Sequence, residues 1–323
     1  MLLLVAAGCD AVPRDNPLDP QSELFRNLGT VEGRVTGIYP PFDGRAGVAV
    51  SAAFLDGDGA ERLTQTGPDG SFRIDDLPAG RYEVVSGGPL YRDGRDTVTV
   101  TAGAAARADF ALDALPVVTA QAARTVHIER WFPATPVFQL EIEVETSDPD
   151  RDADVASAAL VVEGIAFREP LDEAEPGRFA STLDASLLPD GQVQSLLGRT
   201  LRVEVTDLAG NTGIGPPLSL VRVIEQTPLT ASPQGLVTLT DNPPVLEWRP
   251  AELPFAFTYR IEVFLVDGAG IPNLVYAADG LPPSATTHPL PEPLDAGDHF
   301  WTVWVVDEAG NRSRSKEAGF RVP

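Results

Sequence analysis

The sequence predicts an all-β chain folded as three tandem β-sandwich domains, and three observations carry that prediction. Short segments that alternate apolar and polar residues recur along most of the chain, separated by turn signals about every 8–12 residues, as expected of half-buried antiparallel strands. Helical periodicity is almost absent; only ASLLPDGQVQSLLG (185–198) is compatible with a short helical turn. Finally, the strand-plus-turn GRTLRVEVTDLAGNTG (198–213) returns one hundred residues later as DHFWTVWVVDEAGNRS (298–313), a repeat at the period of a sandwich domain.

The first domain is assigned to 29–116. TVEGRVTG (30–37) alternates, and GVAVSAAF (47–54) places Val48, Val50 and Ala52 on one face. Asp69-Gly70 forms a tight turn, after which Phe72 and Ile74 share a face. Pro78 and Gly80 make the next turn, and Tyr82 and Val84 resume the alternation. DTVTVTAG (96–103) and ARADFAL (106–112) complete about seven strands, in the range of a sandwich. The second domain, 117–226, holds strands on either side of an acidic loop and a strand with Leu201, Val203 and Val205 turned inward. The third, 227–323, repeats that strand with Trp301, Val303 and Val305 in the same places; Asp307 and the following Ala-Gly-Asn repeat the turn of Asp207. DALPVV (113–118) and EQTPLTASPQG (225–235) read as proline-stiffened linkers.

The pieces GVAV, PDGSFRIDDLPAGRYEV (68–84) and ADFAL, with Gly33 and Val35 in the first strand, resemble the carboxypeptidase regulatory-like domain. The resemblance implies a transthyretin-type sandwich. It implies no peptidase activity, because the catalytic domain is a different fold. PVLEWRP (244–250), FTYRIEVF (257–264) and AGFRV (318–322) resemble a fibronectin type III-like domain, which implies that Trp248 and Tyr259 are core residues. The second domain resembles a bacterial immunoglobulin-like domain.

Composition excludes some functions and leaves others open. Lys and Arg number 24 against 47 Asp and Glu, for a net charge of −23. Such a surface repels a phosphate backbone, so nucleic-acid binding is not expected. The single cysteine, Cys9, forbids an intramolecular disulfide, so each core is held by apolar burial. MLLLVAAGC (1–9) resembles the lipobox of bacterial lipoproteins, in which a signal peptide is cut before a cysteine that then carries acyl chains. That resemblance makes 1–8 a signal-peptide remnant and 9–28, with its DNPLDP stretch, a lipidated tether. The alternative is a chance buried cysteine. Lipidation implies a protein of the bacterial cell envelope, anchored to a membrane by two or more acyl chains.

Chemistry-bearing motifs are scarce. There is no H-E-x-x-H, G-x-S-x-G or Walker-type loop, and the three histidines, His127, His288 and His299, are scattered. No enzyme activity and no obligate cofactor are expected. The sharpest candidate is SDPDRDADV (147–155), where Asp148, Asp150, Asp152 and Asp154 alternate. Hard oxygen ligands so spaced can wrap Ca²⁺ weakly, or they can simply be solvated in an exposed loop. Alternation turns Trp304 away from its domain core, which makes it either a contact for a glycan or protein partner or a residue covered by a neighbouring element. The leading expectation is a lipid-anchored, non-enzymatic structural, adhesive or binding scaffold. The other is a carbohydrate- or protein-binding accessory module of an envelope polymer-handling system.

Overall fold

A computed structural model describes Ser22 and residues 28–323, the side chain of Asp152 excepted. Cys9 and most of the predicted tether lie outside the described residues. Strands dominate, and among the described residues no helix is long and apolar enough to cross a membrane. The chain divides into two compact units. One comprises Met1–Pro116, Asp148–Asp154 and Asp207–Asn211; the other comprises Val117–Ser147, Val155–Thr206 and Thr212–Pro323.

The first unit contains a sandwich of two four-stranded sheets. In one sheet Leu28–Gly37 pairs antiparallel with Ser71–Pro78 and parallel with Ala105–Arg107 and Phe110–Leu112. The other runs Arg62–Gln65, Ala49–Phe54, Gly80–Gly88, Tyr91–Val100, all antiparallel. The expected inward faces meet between the sheets: Val31, Val35, Val50, Ala52, Phe72, Ile74, Tyr82 and Val84 form one buried cluster. The turn at Asp69-Gly70 depends on its glycine. Gly70 has φ +82°, and a Cβ there would lie 2.2 Å from the carbonyl oxygen of Val35.

The second unit holds two sandwich cores joined by one long sheet. That sheet runs Glu173–Glu175, Arg178–Asp184, Val137–Ser147, Val117–Ile128, Arg312–Arg314, Gly297–Asp307, Phe257–Val266, Pro272–Leu281 along its main path. Its two halves meet where Arg312–Arg314 pairs parallel with Val117–Ile128, in the register Arg312 to Val126, Ser313 to His127 and Arg314 to Ile128. A four-stranded sheet that includes Val155–Val162 and Leu201–Asp207 supplies further residues to one core, with Leu140, Ile142, Leu160, Leu201, Val203 and Val205 buried together. A three-stranded sheet of Leu229–Ser232, Val245–Arg249 and Thr287–Pro289 supplies the other. There Trp248 and Tyr259 pack edge-to-face with centroids 5.5 Å apart, among Trp301, Val303 and Val305. Both are core residues, as the fibronectin-like pattern implied.

Two local expectations are refined by the structure. Residues 185–198, compatible with a short helical turn, hold three short 3-10 turns, with Val193 and Leu196 buried in the last. Part of the stretch read as a proline-stiffened linker, Leu229–Ser232, is itself a strand pairing with Val245–Arg249.

Candidate functional site

The acidic candidate forms within the first unit, from three chain segments. After Ser147 the chain leaves its strand and tightens into a 3-10 turn at Asp152–Asp154. Asp148 accepts the N–H of Asp150 at 2.8 Å, so the loop folds back on its own carboxylate. Asp150 is ion-paired with Arg45 and also accepts the N–H of Ala114 at 2.7 Å. Asp154 accepts the hydroxyl of Tyr39 at 2.6 Å; the Arg151 guanidinium lies 3.9 Å from Asp154 and 3.9 Å above the Tyr39 ring centroid. The third segment is the turn Asp207–Asn211, in which the Asn211 amide donates to Asp113 at 2.6 Å and to Asp207 at 2.9 Å. Leu208 N–H donates to the carbonyl of Asp154 at 2.8 Å, fastening this turn to the acidic loop.

The result is a cluster of carboxylates. One oxygen each from Asp113, Asp150 and Asp154 lies within 4.8 Å of the others. The side chains of Asp150 and Asp154 are fully buried, and Asp148 and Asp207 are buried beside them. Three buried oxygens, Oδ1 of Asp113, Oδ2 of Asp148 and Oδ2 of Asp154, have no hydrogen-bond partner. Burial pushes the Asp148 carboxyl up to about 6, and the charges of Asp150, Asp154 and Asp207 push the same way. Asp113 is also raised, by burial and by the charges of Asp207, Asp150 and Asp154, against the lowering effect of the Asn211 amide. Two guanidinium groups, Arg45 and Arg151, thus face five carboxylates. Unpaired charge at such depth is costly unless something compensates it.

The structure therefore brings together Asp148, Asp150 and Asp154 of the predicted set. It does so with Asp113 and Asp207, which sequence reasoning did not include. The side chain of Asp152 lies outside the described residues. A freely solvated loop is not what forms: Asp148 and Asp154 are buried. Asp207 carried a signal in the D-x-A-G-N turn, where it read only as a turn former; Asp113 carried none.

Trp304 is not an exposed platform. It is 9% exposed, its indole N–H donates to Glu262 at 2.8 Å, and the guanidinium carbons of Arg312 and Arg314 lie 5.5 and 5.8 Å from its ring. The alternation was read correctly, since Trp304 lies outside the core of Trp301, Val303 and Val305. The cover comes from Arg314, its cross-strand neighbour, and Arg312. The aromatic pair that sequence reasoning missed is Trp131 and Phe132, 64% and 90% exposed, in the proline-broken stretch ERWFPATP (129–136). Trp131 donates to the carbonyl of Glu317 at 2.7 Å, and the Lys316 ammonium lies 4.6 Å from its ring centroid. The histidines are engaged in packing and hydrogen bonds: His127 stacks on Phe138, His299 stacks on Phe320, and His288 lies 2.6 Å from the Tyr276 hydroxyl.

Comparison with known proteins places part of this architecture. A search of curated proteins finds no match to the sequence. Three similar solved structures share little sequence with this chain. The major pilin subunit BcpA of Bacillus cereus is 12% identical, with 88% of this chain and 91% of the pilin covered at a TM-score of 0.29. The FN1–FN3 domains of chicken CNTN1 are 11% identical, covering 85% of this chain and 90% of theirs at 0.32. The fibronectin(III)-like modules of Clostridium thermocellum CbhA are 11% identical, covering 64% and 93% at 0.29. Residues 30–113 match the model of the carboxypeptidase regulatory-like domain, the family that the first sandwich resembles in its sequence.

Proposed function

We propose that this chain is a non-enzymatic scaffold of the bacterial cell envelope, moored by acyl chains on Cys9. The observation that carries the scaffold reading is the sheet of the second unit. Its two cores are not beads on a string, because main-chain hydrogen bonds between Arg312–Arg314 and Val117–Ile128 run from one into the other. Buried polar contacts reinforce this seam: Asn311 accepts from the N–H of Thr125 at 2.9 Å, and His127 Nδ1 lies 3.1 Å from the carbonyl oxygen of Ile224. A body joined in this way resists bending at the point where tandem domains usually hinge.

Two measurements on the full chain test the reading. Limited proteolysis should leave 117–323 as one resistant fragment; early cleavage between the two cores, near 226–229, would defeat the stiff-scaffold idea. Labelled palmitate fed to cells should appear on the wild-type protein and not on Cys9→Ser, and that variant should leave the membrane fraction. A Cys9→Ser protein that still sediments with membranes would rule out the anchor.

A second reading, an accessory module that grips an envelope glycan or protein, is favoured by the exposure of Trp131 and Phe132. Glycan-array binding lost in Trp131→Ala and kept in Trp304→Phe would support it. Absence of binding in the wild-type protein would dismiss its glycan form.

A further inference from the structure

We propose that the carboxylates of Asp113, Asp150 and Asp154 bind one Ca²⁺ ion, with Asp148 and Asp207 adding negative charge around it. Calcium bonds to oxygen at about 2.4 Å, so two ligands of one ion lie at most about 4.8 Å apart. The three carboxylate oxygens fall within that limit of one another. The second observation is independent of the clustering. Oδ2 of the fully buried Asp154, Oδ2 of Asp148 and Oδ1 of Asp113 are shielded from solvent and accept no hydrogen bond. Protein interiors rarely leave such atoms unmatched, and a cation is the ligand that satisfies several carboxylate oxygens at once.

The donor set selects the ion. It contains oxygen only, with no histidine or cysteine, which disfavours zinc and copper. The ligands come from separate segments of chain, and such a site tolerates the irregular coordination of calcium better than the tight octahedron that magnesium demands. The charge also fits. Arg45 pairs with Asp150, Arg151 stands at the rim near Asp154, and a divalent ion offsets most of the remaining excess. Among the described residues no arginine or lysine lies within ion-pair distance of Asp113, Asp148 or Asp207. Arg45 is a competitor for the ion, so its removal strengthens binding.

The test uses the full chain, stripped with chelator, and Ca²⁺ itself as the probe. Calorimetric titration should find one ion per chain, with Kd on the order of 10⁻⁴–10⁻³ M and Mg²⁺ about tenfold weaker or worse. The melting temperature should rise by about 3–6 °C at ten times Kd and fall back with chelator. Asp113→Asn and Asp154→Asn should each weaken binding about tenfold or more, with the β-sheet circular dichroism intact. Arg45→Gln should tighten it about threefold. Glu143→Gln, an exposed acid in the other unit, should change nothing. Because binding is first measured on the wild-type chain, a variant that fails to fold leaves the test standing. No heat and no melting shift at about 10 mM calcium would overturn the proposal. So would binding that survives unchanged in both Asp113→Asn and Asp154→Asn, since it would then belong to the acidic surface as a whole.

Discussion

The turns Asp207–Asn211 and Asp307–Asn311 are built alike and placed differently. In each, the aspartate N–H donates to the carbonyl of the asparagine at 3.0 Å, and the asparagine N–H returns to the aspartate carboxylate at 2.7 and 2.9 Å. The asparagine amide donates to the other carboxylate oxygen at 2.9 and 3.0 Å, and the glycine stands at φ +88° and +83°. Beyond these bonds the two part. Asp307 has a cation, Arg222, 3.5 Å away, and Asn311 is buried with its side-chain oxygen accepting from both the N–H and the hydroxyl of Thr125. Asp207 shares its asparagine amide with a second acid, Asp113, and sits among Asp148, Asp150 and Asp154. The same five-residue solution to turning the chain thus closes a seam in one place and completes an acidic cluster in the other. Local chemistry sets the turn; the neighbours set its use.

The contrast can be broken in graded ways. The largest effect is expected at Asn311→Ala. It strands the Thr125 N–H in the seam and removes the side-chain amide's bond to Asp307, at a cost of about 3 kcal/mol in urea unfolding. Arg222→Ala comes next. It leaves the buried Asp307 without its cation and uncovers Phe255, whose ring lies 4.1 Å from the guanidinium; since Arg222 is partly exposed, the expected loss is about 1–3 kcal/mol. Asn211→Ala should cost less, about 1 kcal/mol, because Asn211 is only half-buried and bonds to no main chain outside its own turn. Equal losses at Asn211 and Asn311 would mean that the turn alone, and not its setting, supplies the stability.

The smallest effect is one of pH. His127 lies in the same seam, and burial holds its imidazole below the usual histidine range, against the raising influence of the Ile224 carbonyl and Glu129. A histidine so depressed is neutral when folded and takes up a proton more readily when unfolded. Its penalty is therefore absent above about pH 6.5 and grows as the pH falls from there through the folded value. Between about pH 7 and 5 the melting temperature of the wild-type protein should therefore fall relative to that of His127→Gln. Parallel pH curves for the two proteins would show that His127 does not contribute.

Much of this molecule could be read from the chain before any coordinates. The inward faces Val48-Val50-Ala52, Phe72-Ile74, Leu201-Val203-Val205 and Trp301-Val303-Val305 are all buried, because a strand's side chains alternate strictly and one face must leave water. The outward direction of Trp304 was equally legible. Its burial was not, because the arginines that close over it depend on which strand lies alongside.

The acidic cluster divides in the same way. Asp148, Asp150 and Asp154 drew notice as an alternating run, while Asp113 did not, since nothing near it in sequence marks it. Its neighbours Asp150 and Asn211 lie 37 and 98 residues further along the chain. The sequence by itself determined the all-β class, the strand faces, the turns and the repeat, all of which rest on period-two burial and on backbone conformations that a few adjacent residues dictate. Only the tertiary structure decided which loops meet, which carboxylates lose their water together and that two cores share one sheet. Those outcomes come from pairing between distant segments, where the free energy lies in contacts that no local pattern encodes.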